Sequence, residues 1–320
     1  MKGRILEKAA AVACALIITA GVMRGAVLAK AEEVPVEPPA PDATFVILDM
    51  NSGSPYESAS PDEAGSPSEA SPRLEVTDNR KTVPLTVNDE AAGECSIIGG
   101  IPFVDAERFC RSLGMNVTGV SSNGDFSLTG DIDLQAHDGD IYFVCCGRYL
   151  YVADGVRVQN GQVLLPVEEL AKCLGVFAAW DRVQWNVSVT ADEVVPMESG
   201  NTYYDDTDVY WLSHVIYAEA GSQSLLGQIA VGNVVLNRVA SDRFPDQDDV
   251  YSVIFAKNQF EVVINGMIYM QPDETAEIAA KLALEGYDVT DGSTYFATFF
   301  FGDGYECVKW IEDHCFMTEA

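Results

Sequence analysis

The spacing of apolar residues changes three times along this chain. Residues 9–22, AAAVACALIITAGV, are continuously apolar, whereas residues 32–82 hold few apolar positions among Pro, Glu, Asp and Ser. From Val83 to about Thr190 short alternating runs such as VPLTV and DIYFV are separated by Gly, Asn and Asp, the pattern of half-buried strands joined by turns. Beyond Tyr203 the period lengthens. TDVYWLSHVIYAEA predicts a helix with Thr207 or Asp208 as its N-cap. SLLGQIAVGNVVLNRVAS, from Ser224, is apolar on nearly every side and predicts a buried helix, with Gly232 admitting a close neighbour. PDETAEIAAKLALEG, from Pro272, predicts an amphipathic helix ended by Gly286. The stretch STYFATFFF is β-like and aromatic. The expected class is α+β: a mainly helical C-terminal domain over 203–320 and a small α+β domain over 83–193.

The smaller region contains an internal repeat. GIPFVDAERFCRSLGMNV starts at Gly100 and GQVLLPVEELAKCLGVFA at Gly161. Placing Leu113-Gly114 on Leu174-Gly175 also places Phe109 on Leu170 and Glu107 on Glu168. Each copy reads as a strand, a helix begun at Asp105 or Pro166, and a closing glycine. A pseudo-duplicated unit follows.

Charge then narrows the partners. Nineteen Lys and Arg against 49 Asp and Glu leave a net charge of -30. Phosphate polymers and anionic membrane surfaces would be repelled, while an uncharged polymer such as a glycan is not. Lys2, Arg4 and Lys8 precede the apolar run, and Ala29-Lys30-Ala31 forms an A-x-A cleavage arrangement, so residues 1–31 read as a cleaved signal peptide. The run is short for a membrane span, which leaves an N-terminal anchor as the lesser reading. Residues 32–82 read as a solvated acidic linker. The protein is expected outside the cytoplasm. With three histidines and no C-x-x-C pair, neither a metal site nor a cofactor is expected. Outside the leader seven cysteines remain, an odd number, consistent with buried thiols and one or two disulfides; Cys307 with Cys315 is one possible pair.

The candidate chemistry centres on VIYAEAG, residues 215–221. At 100° per residue, Val209, Leu212, Ile216 and Glu219 share one side of the helix, so a carboxyl lies on the apolar stripe. Desolvation and the negative end of the helix dipole would both raise its pKa, the condition a general acid needs. The alternatives are a glutamate reaching solvent at the helix end, or one paired with Arg238. Asn233 and Asn237, one turn apart in the next helix, either tie down backbone or line a cleft beside Glu219.

Two resemblances add to this. Residues 83–191, best in NGQVLLPVEELAKCLGVFAAWDRVQWNVSVT, resemble the copper amine oxidase N-terminal-like domain. That implies an accessory or wall-associated module; no copper site accompanies it. The series YAEAGSQSLLGQIAVGNVVLNRV, Phe244-Pro245, VIF, Gln259-Phe260, NGMIYMQP, AAKLALEG and YFAT resembles the SleB-type cell wall hydrolases, the spore-cortex-lytic family. The resemblance implies a lysozyme-like domain that cleaves peptidoglycan glycan strands, with Glu219 as catalytic acid. It implies substrate-cleft roles for Asn237 and Gln259, and Tyr295 opens its YFAT motif. The chain departs from the pattern at Glu261, where the family has serine, and at Glu312, where it has glycine. Its segment FFFGDGYECVKW is shorter than usual.

One obvious catalytic acid favours a lytic transglycosylase, which works with a single carboxyl, over hydrolysis, which usually takes two; Glu261 and Asp242, candidates for a second, have no supporting pattern. The competing reading is a non-catalytic peptidoglycan-binding protein anchored in the wall. Spore cortex and vegetative wall are not distinguished by these residues.

Overall fold

The computed structural model describes residues 81–320. The expected signal peptide and almost all of the expected linker lie outside the described residues. Fifteen strands form three sheets, accompanied by eight α-helices among the described residues.

The first sheet has seven strands in the order β11-β12-β1-β2-β3-β10-β9. Its members are β1 (Thr82–Val87), β2 (Glu90–Ile98), β3 (Ile101–Asp105), β9 (Arg157–Gln159), β10 (Gln162–Pro166), β11 (Phe177–Asp181) and β12 (Asn186–Thr190). All neighbours are antiparallel except β1 and β12, which pair in parallel, Leu85 opposite Val187. The alternation read in VPLTV buries Val83, Leu85 and Val87 on one face. The second sheet runs β4-β5-β6-β7-β8, from β4 (Val117–Ser122) through β5 (Asp125–Gly130), β6 (Leu134–His137) and β7 (Tyr142–Cys145) to β8 (Arg148–Tyr151). Asn123-Gly124 and Asn160-Gly161 turn two of the hairpins with positive φ at both positions, the geometry that matches strand twist.

The two copies of the repeat take the same course. Helix α1 (Ala106–Ser112) follows β3, and helix α2 (Val167–Cys173) follows β10. Phe109 and Leu170, aligned in sequence, are both fully buried. Because β3 pairs antiparallel with β10 and Val104 lies opposite Leu165, its own repeat-equivalent, an approximate two-fold axis passes between them. The copies diverge afterwards: β11 stays in the first sheet, whereas β4 starts the second.

A short helix, α3 (Gly200–Tyr203), leads to α4 (Asp206–Ala220). The cap of α4 is Asp205, whose carboxylate accepts from the Thr207 amide at 2.9 Å, not Thr207 or Asp208 as expected. Helix α5 (Leu225–Ala240) starts at Ser224 and is buried along most of its length. It is followed by α6 (Val250–Ile254), α7 (Glu261–Ile264), a 3₁₀ turn at Met267–Tyr269, and α8 (Glu274–Leu284), capped by Asp273. A Cβ on Gly232 would lie 3.0 Å from Ile216 Cδ1 and 3.2 Å from Ala283 Cβ, so this glycine lets α4, α5 and α8 close on one another.

The expectation of a mainly helical C-terminal domain is corrected, because sheets dominate the described chain. The third sheet, β13-β15-β14, forms from β13 (Tyr295–Ala297), β14 (Tyr305–Ile311) and β15 (His314–Glu319). Of STYFATFFF only three residues are strand, and Phe299, Phe300 and Phe301 are exposed in a loop. The remaining strands come from the short, partly charged YECVKWI and HCFMTE. Pairing and the Cys307–Cys315 disulfide, more than local pattern, set them side by side.

Two cores result. One spans residues 83–189 across the first two sheets, the other 212–316 around α4, α5 and α8. Ile141, Tyr142, Tyr149 and Tyr151 of the second sheet pack against the latter core.

Candidate active site

Glu219 occupies the last turn of α4, one turn beyond the fully buried Leu212, Val215 and Ile216. The helix that buries those residues holds the carboxyl half-buried at its end. Among the described residues no hydrogen bond or ion pair ties it. Burial pushes its pKa up from 4.5 to about 7, and the charge of Glu261 adds to the rise. A carboxyl that is half-protonated near neutral pH, with its oxygens unengaged, can donate a proton to a bound leaving group.

Glu261 opens α7, directly after the buried Phe260. In the sequence it stands out as a departure from pattern and as a candidate second carboxyl. Nothing local signals that the fold brings its charge within reach of Glu219, because 42 positions separate them and the α4–α7 packing that joins them is tertiary.

Arg238 does not pair with Glu219. Its guanidinium donates from Nε to the Thr294 carbonyl at 2.7 Å and from Nη1 to Gln259 Oε1 at 2.9 Å. The rings of Phe244, Phe260 and Tyr295 surround it, with centroids 5.3–5.4 Å from Cζ. Gln259 and Tyr295 are therefore brought together on one arginine. The Tyr295 hydroxyl donates to Glu319 at 2.6 Å, and burial with that carboxylate lifts its pKa to about 12.

The β14–β15 turn closes the other flank. Glu312 accepts from the Ser224 amide at 3.0 Å, and Gln223 donates to Asp313 at 3.3 Å, so the turn rests on the α4–α5 connection just beyond Glu219. Glu312 thereby caps α5, which gives this unexpected acid a favourable place at a helix N-terminus.

Asn237 bonds the loop at 288–293. At 1.5 Å per residue it lies about 18 Å up α5 from Leu225. Its amide donates to Asp288, Thr290 and the Ser293 carbonyl, at 3.1, 3.3 and 3.0 Å. Asn233 bonds the same loop, donating to the Tyr287 carbonyl at 2.7 Å and accepting from the Val289 amide at 2.9 Å. Both amides thus anchor the loop that follows α8. The apolar setting of α5 made a buried amide legible but not the direction it faced. A cavity of about 390 Å³ beside Asn237 is lined by Arg148, Tyr204 and Glu285 and does not include Glu219.

Among the described residues no group of His, Cys, Asp and Glu is arranged to hold a metal ion. No described helix is long and apolar enough to cross a membrane.

Residues 222–317 match the cell wall hydrolase family, a stretch that begins just past Glu219. The chain is 44% identical over 93 residues to the spore cortex-lytic enzyme of Halalkalibacterium halodurans, covering 29% of this chain and 28% of that enzyme. It is 35% identical over 130 residues to the spore cortex-lytic enzyme of Bacillus cereus, covering 39% of this chain and 48% of the enzyme. It thus spans less than half the length of these curated relatives. Among solved structures, the catalytic domain of the Bacillus cereus SleB protein is 33% identical; the match covers 36% of this chain and 92% of that one, with a TM-score of 0.33. The catalytic domain of the germination-specific lytic transglycosylase SleB from Bacillus anthracis is 32% identical, covering 38% and 100%, with a TM-score of 0.33.

Proposed function

Because the chain carries a cell wall hydrolase domain at its C-terminal end, homologous to the spore cortex-lytic enzymes, we propose that it cleaves the glycan strands of peptidoglycan as a lytic transglycosylase. The observation that carries this reading is Glu219: a carboxyl without protein partners among the described residues, at the end of an apolar helix, with its pKa raised to about 7. In the proposed reaction Glu219 gives its proton to the glycosidic oxygen as the C1–O4 bond breaks. The resulting carboxylate takes the proton of the same sugar's 6-hydroxyl while that oxygen attacks C1. The product is a 1,6-anhydro ring, no water is consumed, and Glu219 returns to its starting state.

Gln259 and Tyr295, joined through Arg238, are the residues proposed to contact the sugar chain. Asn237, which also holds the loop at 288–293, is the third residue proposed for the sugar cleft. Residues 83–193 serve in this proposal as a copper amine oxidase N-terminal-like accessory module adding wall contact, which the paired strand–helix repeat supports. An N-terminal signal over residues 1–31 would deliver the chain to the wall.

Hydrolysis is the second reading, and Glu261 is the observation in its favour: it supplies a second carboxylate whose charge reaches Glu219. Mass spectrometry of digested sacculi and cortex separates the two. Anhydro-muramic ends support the transglycosylase; reducing ends alone would sink it. If wild type and Glu219→Gln are equally inert yet sediment with walls, the chain is a wall-binding protein and not an enzyme.

A further inference from the structure

Arg238 is 5% exposed, yet among the described residues no carboxylate lies at ion-pair distance from it. A buried cation without a counter-ion is costly in a chain chosen for stability alone. Its charge is met instead by three ring faces and two neutral oxygens, the Thr294 carbonyl and Gln259 Oε1.

The chemistry of that contact fixes the orientation of an amide. Arginine carries only donors, so the atom of Gln259 facing Nη1 is the oxygen. The NH₂ group must then point the other way. Gln259 is exposed, and among the described residues nothing accepts from that NH₂. Gln259 also stands two positions before Glu261, the acid whose charge reaches Glu219. The same guanidinium holds the Thr294 carbonyl at the start of β13, next to Tyr295, whose ring faces it.

We infer that Arg238 is a positioning residue: it locks the Gln259 side chain so that its NH₂ donates to an acceptor of an N-acetylated sugar beside the bond Glu219 cleaves, the acetamido carbonyl or a hydroxyl oxygen. The aromatic box excludes water from the guanidinium and holds it in one place, so the amide is aimed before substrate arrives. This rests on the glycan-cleaving reading of Glu219.

Gln259→Glu tests it. A glutamate keeps an oxygen for Arg238, and gains an ion pair with it, but loses the NH₂ donor. Steady-state kinetics on soluble peptidoglycan oligosaccharides, on the acid side of the Glu219 midpoint, should show KM raised on the order of ten-fold with kcat near wild type. The thermal midpoint should not fall. Arg238→Lys, which can reach only one of the two oxygens, should raise KM as well as lower the midpoint. A purely structural role for Arg238 predicts a lower midpoint in Arg238→Lys and wild-type KM in Gln259→Glu; that result overturns the inference. Should wild type leave the oligosaccharides uncut, the glycan-cleaving reading fails first, and calorimetric binding of the same oligosaccharides decides this one: ten-fold weaker binding by Gln259→Glu upholds it, and equal binding overturns it.

Discussion

Arg148 and Glu285 stand 137 residues apart in the chain, yet they form a two-bond clamp, Nε to Oε1 at 2.7 Å and Nη2 to Oε2 at 2.5 Å. The Tyr204 hydroxyl donates to the same carboxylate at 2.8 Å, and the Tyr203 ring lies 3.4 Å from the guanidinium carbon. The Glu285 side chain is fully buried. Removing Glu285 strands the Arg148 cation, and removing Arg148 leaves the buried carboxylate with Lys172, at 4.0 Å, as its only cation among the described residues. Arg148→Ala or Glu285→Ala should therefore cost about 3–5 kcal/mol in urea unfolding. Replacing both together by apolar residues of similar size, Arg148→Met with Glu285→Leu, should recover most of that loss.

Glu219→Gln should lower the rate of glycan cleavage by about 10²–10⁴-fold, the contribution of a positioned general acid. Its effect on stability has the opposite sign at high pH. The folded midpoint of about 7 lies above the reference value of 4.5, so the folded chain holds a proton that the unfolded chain has lost between them. The stability this group contributes is complete below the lower value and disappears as pH rises through the upper one. Relative to wild type, the glutamine variant should gain roughly 1–2 kcal/mol between about pH 4 and pH 8, after allowance for the carboxyl being only half-buried. Thermal melts across that range measure it; parallel curves would refute the raised midpoint.

Glu261→Gln removes the charge that helps hold Glu219 protonated. The alkaline limb of the rate profile should move to lower pH, while the chain folds as before, since Glu261 is exposed at the start of α7. An unmoved limb would mean burial alone sets the Glu219 midpoint.

Gly232→Val should destabilise by about 1–3 kcal/mol or more, because the first carbon alone already meets Ile216 and Ala283 at 3.0 and 3.2 Å. Gly232→Val with Ile216→Ala should be less damaging than the sum of the two changes, a non-additivity that denaturant titration reads directly.

Opening the Cys307–Cys315 bond, which closes a hairpin of 8 residues' separation, should cost roughly 2–3 kcal/mol on a loop-entropy argument. Cys307→Ser with Cys315→Ser tests this without exposing the buried thiols of Cys95, Cys110, Cys145 and Cys173 to reductant.

Periodicity carried far where burial is one-sided. The alternation in VPLTV and the continuous apolar character of α5 both translate into the observed cores, and the aligned Phe109 and Leu170 fall in equivalent buried places. The phase of α4 also placed Glu219 on the stripe with Leu212 and Ile216. Direction was not legible in the same way. Asn237 shares α5 with Arg238, and one residue's rotation separates a side chain that ties the 288–293 loop from one that reaches Gln259. Of the third sheet only β13 was legible, inside the β-like STYFATFFF; β14 and β15 escaped because they are short and partly charged, and their pairing is decided by partners that a single segment does not reveal. Glu312 was visible only as an exception to a pattern, and Glu261 as an exception and an unsupported second acid; their meaning depends on neighbours in space, the start of α5 for one and Glu219 for the other.

The tyrosines of the five-stranded sheet have a bearing on how such a chain could be cut or recombined. Tyr142, Tyr149 and Tyr151 lend their rings to the interior of the helical half, and Tyr287 returns the favour to the other. In this chain the two halves therefore share apolar surface. A fragment begun at Gly200 would bare an apolar face and leave Glu285 without Arg148. A chimera that borrowed the C-terminal half from a relative would have to supply a partner for Arg148 at position 285.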